Sequence, residues 1–194
     1  MTSADASQAA SSPAVPAADP PAVPPETKDW TWVIEKPCPE CGLDPAALAF
    51  DDVATLLLAD VPGWRRVLAE ADAARRRPQP QVWSPLEYAC HVRDVCRLFR
   101  ARMTLMLTQD DPLFANWDQD ATAVEERYDL HEPAVVADEL AEAAQAMAGT
   151  LRAVTPDQYA RPGRRSNGSR FTVDTIARYF LHDVAHHSWD VGIR

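Results

Sequence analysis

TVDTIARYFLHDVAHHSWDV, residues 172–191, holds three of the five histidines of the chain and governs how the rest is read. With Thr172 as N-cap it reads as a helix. His182 and His186, four residues apart, then lie one above the other on a single face, where both imidazoles can reach one metal ion. His187 points about 100° away from that face. A third ligand is sought upstream in WSPLEYACHVRDV, residues 83–95, where His91 stands two turns into another helix. His91 shares its helical face with Val95, Leu98 and Phe99, whereas Arg93, Arg97 and Arg100 share the opposite one, so the imidazole is expected to point inward. A buried imidazole needs a partner. An HxxxH pair alone arises by chance, and a lone helical histidine is more often a satisfied structural residue. The inward-facing His91 is what favours metal binding, with His91, His182 and His186 as the ligands.

The 194 residues suit one domain with a tail. Of the 19 basic residues only Lys28 and Lys36 are lysine, the bias of a high-GC bacterial genome. A formal net charge of −10 and a pI near 4.9 argue against nonspecific binding to nucleic acid or to an anionic membrane, since attraction to phosphate needs a basic surface. The arginines of the His91 helix are best explained as a solvated face. No apolar run approaches the roughly 18 residues that span a bilayer. Residues 1–28, made largely of Ala, Ser and Pro, lack the basic start and apolar centre of a signal peptide. They are expected to form a dispensable, disordered tail, and the protein is placed in the cytoplasm.

Residues 29–44 form a lead-in that contains WTWVIEKPCPECGL. CPECG is half of a zinc ribbon or knuckle, but a closed structural site needs four ligands. Cys90 and Cys96 cannot complete it together, because six residues of helix set them about 240° and about 9 Å apart. Three explanations stand for Cys38 and Cys41: a redox dithiol, a metal site completed by other ligands, or a plain turn. Lying just before the first long helix, the pair is expected at the end of the molecule opposite His91.

Four long amphipathic helices follow within residues 45–194, and no strand pattern is evident. The first spans about residues 51–74 with Val53, Leu56, Leu57, Val61, Trp64, Val67 and Leu68 as its stripe, and Pro62 is expected to kink it. The second opens at the capping box of Ser84, Pro85 and Glu87 and runs to about residue 107. Residues 108–131 form the longest interhelical connection, with a short helix near residues 121–128. The third covers about residues 133–154, where Val136, Leu140, Ala144, Met147 and Leu151 recur at helical spacing, and His131 lies at its entrance in a surface or capping role. Asn167-Gly168 marks a turn before the fourth helix. This pattern predicts an all-α four-helix bundle. His91 stands near the start of the second helix and His182 and His186 near the end of the fourth, so they share a level only if those helices are antiparallel. Up-down-down-up topology achieves this and requires a long crossover between the second and third helices, where the longest loop lies.

The WSPLEYACHVRD and LHDVAHHSWDV blocks, in this order and spacing, resemble the DinB-like metal-binding four-helix bundles. These include bacillithiol and mycothiol S-transferases and the N-terminal domain of mycothiol-dependent maleylpyruvate isomerase. The resemblance covers about residues 45–194 and matches the family's helix-2 histidine to His91 and its HxxxH motif to His182 and His186. It implies a divalent metal with open coordination positions and up-down-down-up topology, and it assigns CPECG no role.

Three imidazoles suit zinc, nickel or iron(II), and Asp94, Asp183 and Asp190 are candidates to orient them by hydrogen bonds. A metal-coordinated thiol is deprotonated at neutral pH, where a free one mostly is not. Three functions are therefore expected to compete. One is a metal-dependent thiol S-transferase joining a low-molecular-weight thiol such as mycothiol to a small electrophile, as in detoxification. Another is a hydrolase acting through metal-activated water. The third is a non-enzymatic stress or interaction protein whose metal ties helices together. The expected partners are small molecules, and a homodimer is compatible with the sequence.

Overall fold

The computed structural model describes residues 23–194. Most of the expected tail, residues 1–22, lies outside the described residues. Local signals set the main helices. Ser84 Oγ accepts from the Glu87 backbone N–H, and the Glu87 carboxylate accepts from the Ser84 N–H in return, so α3, Pro85–Thr108, starts where its capping box predicts. Thr172 caps α6, Val173–Asp190, through the backbone N–H of Thr175. The first long helix is α1, Phe50–Ala69. It continues through Pro62 and ends before Glu70, after which α2, Ala71–Ala74, adds one turn. In the crossover, α4, Gln119–Glu125, is capped by Asp118. The remaining long helix, third in chain order, is α5, Pro133–Arg152.

Four long-range pairings give the helix directions. His91 meets Asp183 and Phe99 packs on Phe180, so α3 and α6 are antiparallel. Arg93 pairs with Glu139 and Arg100 reaches Thr150, so α3 and α5 are parallel. Arg65 binds Asp138 near the end of α1 and the start of α5, which are antiparallel. Arg178 reaches Ala46, just before α1, while Arg194, beyond α6, binds Asp60, so α1 and α6 are parallel. This is the expected up-down-down-up bundle, with the neighbours around it running α1, α5, α3, α6. Leu57, Trp64, Leu86, Met103, Leu140, Met147, Ile176 and Phe180 fill its centre, each under 3 % exposed. Complete burial of such a side chain stabilises by about 1.5–3 kcal/mol.

Three features differ from the sequence expectations. A small sheet is present: β1, Leu113–Phe114, runs parallel to β2, Pro162–Arg165, which pairs antiparallel with β3, Arg170–Thr172. Strands of two to four residues are too short to show alternation. Gly168, at φ +100°, makes the β2–β3 turn that Asn167-Gly168 announces.

Second, the lead-in is not at the far end of the bundle. It folds back along α6, so that Pro45 and Ala46 lie against Arg178 while Cys38 lies against His186. Those two positions on α6 are about 12 Å apart, a span that eight residues of lead-in cover. Fully buried Val33 and the Trp30 ring supply the docking surface.

Third, residues 23–28 do not belong with a detached tail. Val23 packs on the core, the Glu26 N–H donates to Asp120, and the Lys28 ammonium sits 3.7 Å above the Trp30 ring.

Candidate metal centres

The antiparallel crossing of α3 and α6 brings His91 to Asp183 and His187. His91 Nε2 stands 3.2 Å from Asp183 Oδ1, and His187 Nε2 stands 3.6 Å from the same oxygen. Two ligands of one ion, with bonds of about 2.0–2.2 Å, lie about 3.0–3.5 Å apart, so these spacings suit a shared metal. His187 Nδ1 donates to Asp190 Oδ2 at 2.8 Å, which leaves the Nε2 lone pair facing the cluster. His91 is fully buried and stacks on Trp117, with Trp83 against it from another side. Burial holds the His91 pKa below the ordinary imidazole value despite Asp183, which keeps the ring in the neutral form a metal requires. Burial acts to raise the Asp183 carboxyl, but the hydrogen bond with His91 opposes it and the carboxyl stays below its usual value.

A second group lies on the adjacent face of α6. Cys38, Cys41, His182 and His186 present ligand atoms all within 4.8 Å of one another. Cys38 Sγ is 3.7 Å from His186 Nδ1, and His182 Nε2 is buried with no hydrogen-bond partner. The turn that carries the cysteines closes with the Gly42 N–H donating to Cys38 O and the Cys38 N–H to Leu43 O, with Gly42 at φ +73°. Burial lowers His182 to about 4, with His186 adding to the shift, and burial likewise lowers His186. Burial also pushes Cys41 up to about 11, against the backbone N–H of Leu43 that points at its sulfur.

The expected trio of His91, His182 and His186 is therefore divided between two clusters. Val173, Ala177, Phe180 and Val184 mark the core-facing side of α6, and all four are buried. Asp183 and His187 lie within about a quarter turn of that side, toward α3, whereas His182 and His186 lie nearly opposite. The latter are buried because the lead-in covers them. Asp183 thus stands beside His91 and His187 as a candidate ligand rather than behind one, and Asp190 orients His187. Asp94 does neither: it takes a bidentate pair from Arg93 and a hydrogen bond from Tyr128. Arg93 itself is buried, not solvated. His131 bonds the Glu126 carbonyl and faces Arg93. Cys90 is buried toward Tyr128 O, and burial raises its pKa to about 12. Cys96 is buried as well.

A cavity of about 700 Å³ opens between the lead-in, the crossover and the end of α6, with Trp30, Tyr88, Trp117, Arg165, Asp183 and His187 among its walls. Among the described residues no helix is long and apolar enough to cross a membrane.

The fold and these clusters define an up-down-down-up four-helix bundle with two groups of residues able to hold a metal ion gathered at one end. The chain belongs to the DinB superfamily, whose family model matches residues 67–190. The matched span includes His91, Asp183 and His187 and begins after Cys38 and Cys41. Among solved structures it is similar to YfiT from Bacillus subtilis, described as a probable metal-dependent hydrolase with an unusual four-helix bundle topology. The TM-score is 0.62 at 19% identity, over 72% of this chain and 82% of that one. The comparison with curated proteins gives no match.

Proposed function

We propose that His91, Asp183 and His187 hold a divalent metal ion, and that the protein is a metal-dependent enzyme joining a low-molecular-weight thiol, such as mycothiol, to a small electrophile. One observation carries this: two imidazoles converge on a single carboxylate oxygen at 3.2 and 3.6 Å beside a polar cavity of about 700 Å³. Three protein donors leave coordination positions for a substrate. Zinc, iron(II) and nickel all suit this donor set. When bound, such a cation supplies Lewis acidity that deprotonates a thiol at neutral pH.

The chain's own residues supply the rest. Asp190 holds the His187 ring in the ligating tautomer, and Trp117 and Trp83 fix the plane of His91. Carboxylates lining the cavity are already engaged: Asp190 with His187, Asp118 as the cap of α4, Asp120 with Glu26, Asp29 with Thr31 and Glu40 with Lys28. These contacts fix the positions of the acidic groups around a bound substrate. Aromatic faces alternating with polar groups in a cavity of this size suit a thiol carrying sugar-like hydroxyls. In the reaction the sulfur forms a bond to carbon while the leaving group departs with its electron pair, or, for an activated alkene, while the adjacent carbon takes a proton.

The hydrolase reading is the second choice, favoured by the description of YfiT. Metal-loaded protein is tested with mycothiol, bacillithiol and glutathione against a panel of electrophiles, and separately with esters and amides. Conjugation that disappears in His91→Ala and His187→Ala supports the transferase. Metal-dependent hydrolysis without conjugation replaces it with the hydrolase.

A further inference from the structure

We infer that Cys38, Cys41, His182 and His186 form a second metal site, a closed tetrahedral Cys2His2 centre for zinc, that clamps the lead-in onto α6. The chemistry is distinct from that of the His91 cluster. Two sulfur and two imidazole donors make a complete four-coordinate set of the kind that structural zinc takes, with no position left for substrate. The spacing suits it: a sulfur and a nitrogen bound to one tetrahedral zinc, at about 2.3 and 2.0–2.1 Å, stand about 3.6 Å apart, and Cys38 Sγ lies 3.7 Å from His186 Nδ1.

Each donor has independent structural support. His182 Nε2 is a buried polar atom with no protein partner, so a metal would satisfy it. His186 turns Nδ1 toward Cys38 while its Nε2 lies 3.5 Å from Glu40 Oε2, the carboxylate-backed geometry of a ligating histidine. The turn around Gly42 places both sulfurs on one side, as a zinc knuckle does. Trp30 lies across both imidazoles, with ring centroids at 5.4 and 5.0 Å, where the cluster borders the cavity. Two thiolates neutralise a dication, so the assembly carries no net charge to bury.

The site gives the lead-in a function. Residues 29–44 form part of the cavity wall, and their attachment through Cys38 and Cys41 would hold Trp30 and Glu40 in place beside the His91 cluster. Because His182 and His186 alternate with Asp183 and His187 along one helix, the same clamp would fix the rotation of α6 about its axis.

The test uses the full-length protein isolated anaerobically without chelator, then loaded with cobalt(II) as the spectroscopic probe. Two metal equivalents per chain are expected. Thiolate-to-cobalt charge-transfer absorption should appear together with the intense ligand-field bands of tetrahedral cobalt. The double variant His91→Ala/Asp183→Ala should lose one equivalent and keep the thiolate bands, which separates this site from the proposed catalytic one. Cys41→Ser should lose the other equivalent. If that variant fails to fold, alkylation of the wild type serves in its place, with Cys41 protected until a chelator is added. Cobalt-loaded wild type without thiolate bands would overturn the site, as would a Cys38–Cys41 disulfide in the anaerobic protein or Cys41 alkylation that a chelator does not change.

Discussion

Nε2 of His91 and Oδ1 of Asp183 lie 3.2 Å apart although 92 residues separate them in the chain. The contact joins the start of α3 to the end of α6 and exists only because those helices are antiparallel. Asp183→Ala removes the partner of a fully buried imidazole as well as a proposed ligand. It should cost about 1–3 kcal/mol of stability and one metal equivalent while preserving helical content. Denaturant unfolding and metal analysis check both, and full metal retention would remove Asp183 from the ligand set.

Asp190 acts on the same centre through His187, which donates to it at 2.8 Å. Asp190→Asn should leave three donors in place yet weaken metal affinity about 10–100-fold, as loss of a histidine-orienting carboxylate does. Competition with a chelator of known affinity measures this. An unchanged affinity would show that the cavity, not Asp190, orients the ring.

Away from the site, Asp94 is expected to set acid sensitivity. Burial acts to raise its carboxyl, but hydrogen bonds from Arg93 and Tyr128 outweigh burial and hold it below the ordinary value. A carboxylate depressed in the folded state contributes stability that is present above the unfolded pKa, about 3.9, and is lost as pH falls through the folded value. Urea unfolding of wild type should therefore weaken below about pH 4, and Asp94→Asn should show a shallower slope there while being less stable at neutral pH by about 1–3 kcal/mol. Parallel slopes would assign the acid response elsewhere.

Gly163 on β2 touches the fully buried Met106 of α3. A Cβ at this position would stand 2.7 Å from Met106 Cγ and 2.8 Å from its sulfur. Gly163→Ala should cost about 1–3 kcal/mol through overpacking. Adding Met106→Ala should cost less than the two single losses summed, because the smaller side chain removes the clash. Strict additivity in a thermal-unfolding cycle would place the two residues out of contact.

Much of the bundle was legible because its signals are local. The Ser84-Pro85-Glu87 box and Thr172 place two helix starts, and the length of the α3–α5 crossover selects the topology. The sheet escaped because its strands are too short to alternate. Docking of the lead-in escaped because it depends on Trp30 and Val33 meeting a helix far along the chain, and no local pattern records that meeting. The choice between the two i, i+4 pairs of α6 was nevertheless present in the sequence. Phe180 and Val184 mark the core side, which lies near Asp183 and His187 and opposite His182 and His186. The HxxxH spelling favours the pair with more histidines, whereas helical phase favours the pair facing α3.

That alternation makes ligand choice a matter of helical phase. One residue inserted early in α6 would advance every later side chain by about 100°, carrying His182 and His186 into the places that Asp183 and His187 now occupy opposite His91. The tri-histidine set would then exist, and Leu181 and Ala185 would face Cys38 and Cys41. Two centres of different chemistry are thus separated by a single step of reading frame within one helix.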